Sequence, residues 1–402
     1  MAAPAKALHP PGGAEGRRLA ASIAVDAVGR GLFLAGSVVF FTRQLGLSPG
    51  QVGAGLALGG VVGLVAAFPV GLAADRFGGR RVLMALHSYR ALALAAYLLV
   101  TNFAGFVAVS GLVAVAAGST VPVLQALVGA AVPAAERVTT MGYLRAVQNA
   151  GFAVGGVLAA GVIALDTRAA YVALILANAA GFAVSAVLVS RIAATAPAPR
   201  PAGARVLDAL RDRLFLGVAA GNGVLLLHTT MLAVGIPLWI LLHTGVPRFV
   251  VAAVFVLNTV LAVALQVPVS GTASTLAGSV RAYRWAGLAL VAACLLLVGA
   301  GWYRTGPVAI ALLVVAVVAL TFGEMLQSAA AWSAGYALAP ERLRGSYLAV
   351  LGLGNNAQSM VGPVLVTAAV AAGTWGLIGL AGVLAVAAAL TAALVRGRGG
   401  TT

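Results

Sequence analysis

Apolar and polar positions alternate along this chain on one dominant scale: stretches of about 20 mainly apolar residues, each closed by a short polar break. A helix needs about that length to cross the hydrocarbon core of a bilayer. The runs cover 19–41, 52–74, 82–100, 106–132, 146–165, 170–189, 214–242, 250–270, 285–302, 308–331, 347–372 and 375–395, which predicts twelve spanning helices. The first run is longer than the roughly 7–15 residues of a signal-peptide core, and no small-residue cleavage site follows it, so it reads as the first span. Between the sixth and seventh runs lies 191–213, a polar segment with Pro197, Pro199 and Pro201 that reads as a linker. The expected organisation is a tail at 1–18, a six-helix bundle at 19–190, the linker, a second six-helix bundle at 214–396 and a tail at 397–402.

Composition confirms the solvent. Hydrophobic residues make up 62% of the 402 positions and charged residues only 8%, against roughly 25% charged in soluble domains. The fold class is therefore all-α and integral to the membrane. A single cysteine, Cys294, leaves no intrachain disulfide and no cysteine-rich metal site. The net charge of +16 is dispersed among short loops rather than gathered on one solvated face, which argues against a nucleic-acid partner. Near-exclusive use of Arg over Lys, with abundant Ala, Gly and Val, suggests a GC-rich bacterial genome and hence a bacterial plasma membrane.

Charge placement sets the expected orientation, because basic loops stay on the cytoplasmic side. With both termini inside, only Arg43, Arg168, Arg248 and Arg304 of the 25 basic residues fall outside, and Arg30 and Arg90 lie within spans. The two halves also echo each other. Gly71, Ala73, Gly78 and Arg81 recur 200 positions later as Gly271, Ala273, Gly278 and Arg281, with Thr275 where Asp75 stood. Glu136-Arg137, Gly142, Tyr143 and Leu144 pair with Glu341-Arg342, Gly345, Tyr347 and Leu348. The echoes favour duplication of a six-helix unit about an axis along the membrane normal.

The segment GLAADRFGGRR, from Gly71 to Arg81, lies between the second and third runs. Its Gly71, Ala74, Asp75, Arg76, Gly78 and Arg80, with Leu83 beyond it, resemble the signature loop of the major facilitator superfamily of transporters. Ala73 stands where that loop usually has Leu, and Gly79 where it usually has Arg. The resemblance covers almost all of the chain and implies two pseudo-symmetric six-helix bundles. It further implies that Asp75 meets the N-terminus of the eleventh helix near Ser346 and Tyr347, in a contact that latches the cytoplasmic side. The alternative is a loop that only anchors topology through Arg76, Arg80 and Arg81.

Charged residues inside spans are functional candidates, because each costs roughly 2.5–3.5 kcal/mol on insertion scales. Asp26 and Arg30 are spaced i,i+4 on one face of the first span with Ser22, Phe33 and Ser37. That stripe reads as the lining of an aqueous cavity with a titrating carboxylate, or else as a permanent structural ion pair. Arg90, about 12 Å into the third span at 1.5 Å per residue, is a candidate partner for Asp26 or for substrate. His87 is expected at the cytoplasmic rim, with no proton role. In the second half, Glu324 shares a face with Gln327 and Ser328, either as a proton and cation site or as a brace within the tenth helix. Asn222 and His228 in the seventh span are further lining candidates, and Asn149, Asn355, Asn356 and Gln358 read as interhelical hydrogen-bonding groups. Gly151, Gly155, Gly156 and Gly161 are expected to permit close packing of the fifth helix.

Among branches of the superfamily the chain is most similar to drug:proton antiporter-type exporters, on GLAADRFGG, Arg90, Asn149 with its following glycines, and GEML with the APERLRGSYL loop. It departs from them in lacking a Gly-Pro pair in the fifth helix and an Arg between 106 and 132. The resemblance implies a monomeric, non-enzymatic exporter of small apolar or cationic molecules that uses the proton gradient and needs no cofactor. Its partners are then substrate, protons and the lipid bilayer. The alternatives are a proton-coupled importer or facilitator of an anionic metabolite recognised by Arg30 or Arg90, and a non-transporting membrane sensor.

Overall fold

A computed structural model describes residues 10–43, 45–193, 208–247 and 249–399. The prolines of the expected linker, Lys6, His9, Arg200, Arg205 and Arg248 lie outside the described residues. Helices dominate, and no strand occurs among the described residues. In chain order the long helices are α1 (Gly13–Arg43), α2 (Pro49–Phe77), α3 (Gly79–Ala95, extended by a 3-10 turn Ala96–Leu99), α4 (Phe103–Ala131), α5 (Arg137–Leu165), α6 (Arg168–Ser190), α7 (Arg213–His243), α8 (Phe249–Gly271), α9 (Leu276–Tyr303), α10 (Gly306–Leu338), α11 (Arg344–Ala371) and α12 (Gly373–Gly399). Ten of them are long and apolar enough to cross a membrane. The other two, α1 and α11, match them in length but are interrupted by polar residues: Asp26 and Arg30 in α1, Asn355, Asn356 and Gln358 in α11.

The helix ends follow from local chemistry. Ser48 and Gln51 form a reciprocal capping box that starts α2, with Ser48 Oγ accepting from the Gln51 N–H at 3.2 Å and the Gln51 side chain accepting from the Ser48 N–H at 2.9 Å. Asn102, Thr167 and Asp212 accept from the N–H three residues on and start α4, α6 and α7. Between α2 and α3 the chain turns on Gly78 alone, at φ +87°, a conformation that favours glycine. The duplicated loop has taken another course. α8 ends at Gly271, and Thr275, the counterpart of Asp75, caps α9 by accepting from the Gly278 N–H at 3.0 Å. The other echo keeps its form: Pro133 and Pro340 lead into matching 3-10 turns, Ala134–Glu136 and Glu341–Leu343, ahead of α5 and α11.

The helices form two compact units, Met1–Val206 with Pro340–Gly352, and Leu207–Ala339 with Leu353–Thr402. In the first unit, α1 packs on α5 at backbone distance. A Cβ on Gly155 would lie 2.2 Å from the Val28 carbonyl oxygen, and one on Gly31 would lie 2.5 Å from that of Phe152. Gly151 is equally confined by Ala27, but Gly156 and Gly161 face open space, so only two of the four expected packing glycines of α5 act as such. The reason is periodicity, since residues four apart share a helix face and their neighbours do not. An aromatic cluster of Phe33, Phe40, Phe41, Tyr97, Phe106 and Tyr171 fills one end of this unit.

In the second unit α7 is irregular. Regular helix gives way after Leu225, a π turn occupies Met231–Gly235, and helix resumes at Ile236. Pro237 follows directly and has no N–H to give to the α ladder, which favours a break at this point.

Candidate functional site

The charged residues expected in the first half converge. Asp26 Oδ2 receives a 2.6 Å ion pair from Arg30 Nη2, and the carboxylate is almost wholly buried. Arg30 also lies over the Phe152 ring at 5.1 Å, and Arg90 over the Phe182 ring at 4.3 Å. His87 stacks on the same Phe182 ring, 5.9 Å between centroids. This corrects the rim placement of His87: α3 begins at Gly79 rather than near residue 82, so His87 is buried deeper and shares the inward face with Arg90. Arg90 is correspondingly about 16 Å along α3 at 1.5 Å per residue.

Three buried polar atoms of this cluster, Asp26 Oδ1, Arg30 Nε and Arg90 Nε, have no hydrogen-bond partner. Asp26 and Arg30 line a cavity of about 20 Å³ together with Ser22, His87, Thr120 and Gln148 among others, space for a single water-sized molecule. Ser22 also braces α1 against α6, where Ser185 Oγ donates to the Ser22 carbonyl at 3.0 Å. Phe33 belongs to the aromatic cluster, at 5.7 Å from Tyr97, and Ser37 is buried. The expected stripe thus divides: its first residues line the cavity, and Phe33 packs in the aromatic plug.

In the second unit the polar residues of α7 and α10 form one network. Asn222 Oδ1 accepts from Gln327 Nε2 at 2.6 Å and from the Tyr283 hydroxyl at 3.3 Å, and Gln327 Oε1 is 3.2 Å from His228 Nε2. On the same helix as Gln327, Glu324 Oε2 accepts from Asn258 Nδ2 at 3.2 Å, and Asn258 also reaches Thr321 at 3.0 Å. Sequence reasoning missed Asn258 and Tyr283 and set His87 at the rim. Asn258 and His87 are polar residues inside apolar runs, which is the signal that could have found them, whereas Tyr283 falls just ahead of the ninth run. Gln358 bonds Thr230 Oγ1 between α11 and α7, as expected of an interhelical group.

At the α2–α3 turn, the Asp75 carboxylate accepts from the backbone N–H of Gly345 at 2.6 Å and of Ser346 at 2.8 Å, and from the Ser346 hydroxyl. These are the first amides of α11, which have no partner within the helix and carry the positive end of its dipole. The approach requires two glycines: a Cβ on Gly71 would lie 2.6 Å from Ala349 Cβ, and one on Gly345 would lie 2.6 Å from Asp75 Oδ1. Of the neighbouring arginines, Arg80 Nη1 donates to the Ile192 carbonyl at 2.7 Å beyond α6, Arg76 lies over Phe77 at 5.2 Å, and Arg81 is exposed. Arg344 Nη1 donates to the Gly129 carbonyl at 3.1 Å at the end of α4.

The profile of the Major Facilitator Superfamily matches residues 19–363, most of the chain. The chain belongs to the major facilitator superfamily. Solved members of similar fold are transporters. The human organic anion transporter TETRAN is 16% identical, with a TM-score of 0.69 over 94% of this chain and 98% of that one. A bacterial homologue of the iron transporter ferroportin, in an outward-facing state, is 14% identical with a TM-score of 0.73 over 96% and 99%. A point mutant of the nucleoside transporter NupG is 15% identical with a TM-score of 0.58 over 95% and 98%. No curated protein sequence matches the chain. At these identities the likeness establishes the major facilitator fold; membership and fold together point to a transporter rather than an enzyme.

Proposed function

We propose that this facilitator is a proton-coupled exporter of small apolar or cationic compounds, working by alternating access in a bacterial plasma membrane with both termini cytoplasmic. The observation that carries the reading is the asymmetry of Asp26. One carboxylate oxygen is held by Arg30 at 2.6 Å and the other is buried beside the cavity without a partner. A proton taken up at Oδ1 removes the charge that holds Arg30 and changes the cost of enclosing the cluster in a low-dielectric state. Glu324, buried on α10 and accepting from Asn258, supplies the acidic group for a cationic substrate. The contact of Asp75 with α11 acts as the gate, and the protein functions as a monomer without a cofactor.

A second reading has its own support. Two guanidiniums accompany one carboxylate in this cluster: Arg30 lines the cavity beside Asp26, and Arg90, over Phe182, is near enough to interact electrostatically with both. The excess positive charge suits a small organic anion, which would make the protein an importer or facilitator of an anionic metabolite.

Proteoliposomes carrying a trapped pH-sensitive dye separate the two. A panel of lipophilic cations and small organic anions is added, and proton flux is followed with its direction. Export by antiport predicts proton movement opposite to a cation, abolished in both D26N and E324Q. It is refuted if both variants leave substrate accumulation and its pH dependence unchanged. Flux of an anion insensitive to E324Q supports the second reading.

A further inference from the structure

The turn at Gly78 opens a groove outside the site described above. From it α2 and α3 run apart, leaving a cleft floored by Val115 of α4. Its α2 wall includes Ala73 and Phe77, and its α3 wall includes Ala85 and Tyr89. The groove has a volume of about 600 Å³, within the roughly 300–1,000 Å³ typical of ligand sites. Ala73, where the loop departs from the family pattern, makes room in it, since a leucine side chain has three more carbons. The walls are otherwise apolar, and Arg81 stands on the lining as its one charged group.

Arg81 is exposed and forms no ion pair among the described residues. Arg76, also exposed, lies over Phe77 beside it. The acid of this turn, Asp75, accepts from the α11 amides. The groove is an apolar slot ending in an exposed arginine. We propose that it binds one anionic phospholipid, with an acyl chain along Ala73, Ala85 and Val115 and the headgroup phosphate at Arg81. A slot of this kind differs from an ordinary lipid-facing surface in being concave and charged at one end. Such a lipid would fill the space between α2 and α3 next to the Asp75 contact. The inference stands independently of which substrate is carried.

The test uses the full chain in nanodiscs of equimolar phosphatidylglycerol and phosphatidylethanolamine, with lipid retained after detergent extraction counted by native mass spectrometry. Enrichment of one phosphatidylglycerol over the bulk ratio is expected. R81Q should lower that preference about fivefold, the effect of one basic residue near an anionic headgroup, whereas R81K should keep it. A73F should abolish retention and A73L reduce it, because each fills the slot. Gel filtration and thermal unfolding identify variants that fold as the parent does, and A73L and R81K provide milder changes at the same two positions. Retention at the bulk ratio in the parent overturns the proposal. So does an unchanged preference in R81Q, or unchanged retention in folded A73L and A73F.

Discussion

Replacing Asp75 by Asn tests the α2–α11 contact at the level of individual amides. The carboxylate accepts from two backbone N–H groups and one hydroxyl, all from Gly345 and Ser346. An amide of the same shape keeps one acceptor oxygen but turns its NH2 toward a donor, and the charge facing the helix N-terminus is lost. Hydrogen bonds to a charged group contribute about 1.5–3 kcal/mol against about 0.5–1.5 for neutral ones, and the dipole term adds roughly 0.3–1 kcal/mol. Loss of one such bond, weakening of another and loss of the dipole term come to about 3 kcal/mol, or about a hundredfold in the opening equilibrium. The amides of Gly345 and Ser346 have no acceptor within α11, so hydrogen exchange followed by mass spectrometry reads this equilibrium directly. D75N should speed exchange over the first turn of α11 by about a hundredfold, with the rest of the unit unchanged. In transport assays, substrate binding should survive while turnover falls. Acceleration below about threefold in a folded protein would refute the reasoning, and equal acceleration throughout the unit would indicate misfolding instead.

Other expectations follow from close contacts. In N222A, Gln327 and Tyr283 lose their shared acceptor, at about 1–3 kcal/mol per buried donor, and the unfolding midpoint in detergent should fall, whereas N222D, which keeps an acceptor there, should fall less. G155A drives a Cβ to 2.2 Å from the Val28 carbonyl oxygen and should cost about 1–3 kcal/mol or more through forced separation of α1 and α5. G156A, in open space one residue away, should leave the midpoint unchanged or higher; equal losses in the two would contradict the assigned packing face.

The fold was legible because its strongest signal, apolar length, depends on no tertiary detail. The approach of Asp75 to α11 was legible only through the resemblance of GLAADRFGGRR to the signature loop of the superfamily. Asp26 and Arg30 needed only i,i+4 arithmetic. The losses came where meaning depends on a partner from another helix. His87 looked peripheral because the start of α3 was placed three residues late, and Asn258 was not connected to Glu324, 66 positions away. Phe33 lies on the expected face of α1, but whether that face meets water or rings is set by Phe41 and Tyr97. The loss of the acid at Thr275 reads in sequence as decay, whereas the structure gives that threonine a helix to begin.

The π turn at Met231–Gly235 means that α7 does not keep a single angular phase. Each hydrogen bond there spans five residues instead of four, so the turn holds one residue more than an α-helix would, and that residue shifts everything beyond it by about 100°. Asn222 and His228 lie before the shift, Trp239 and His243 after it. A heptad or 3.6-residue wheel drawn through the whole of α7 would therefore assign Trp239 to the wrong side. The helix behaves as two rulers joined with an offset, and its two polar ends can answer to different neighbours without any bend in the axis being needed.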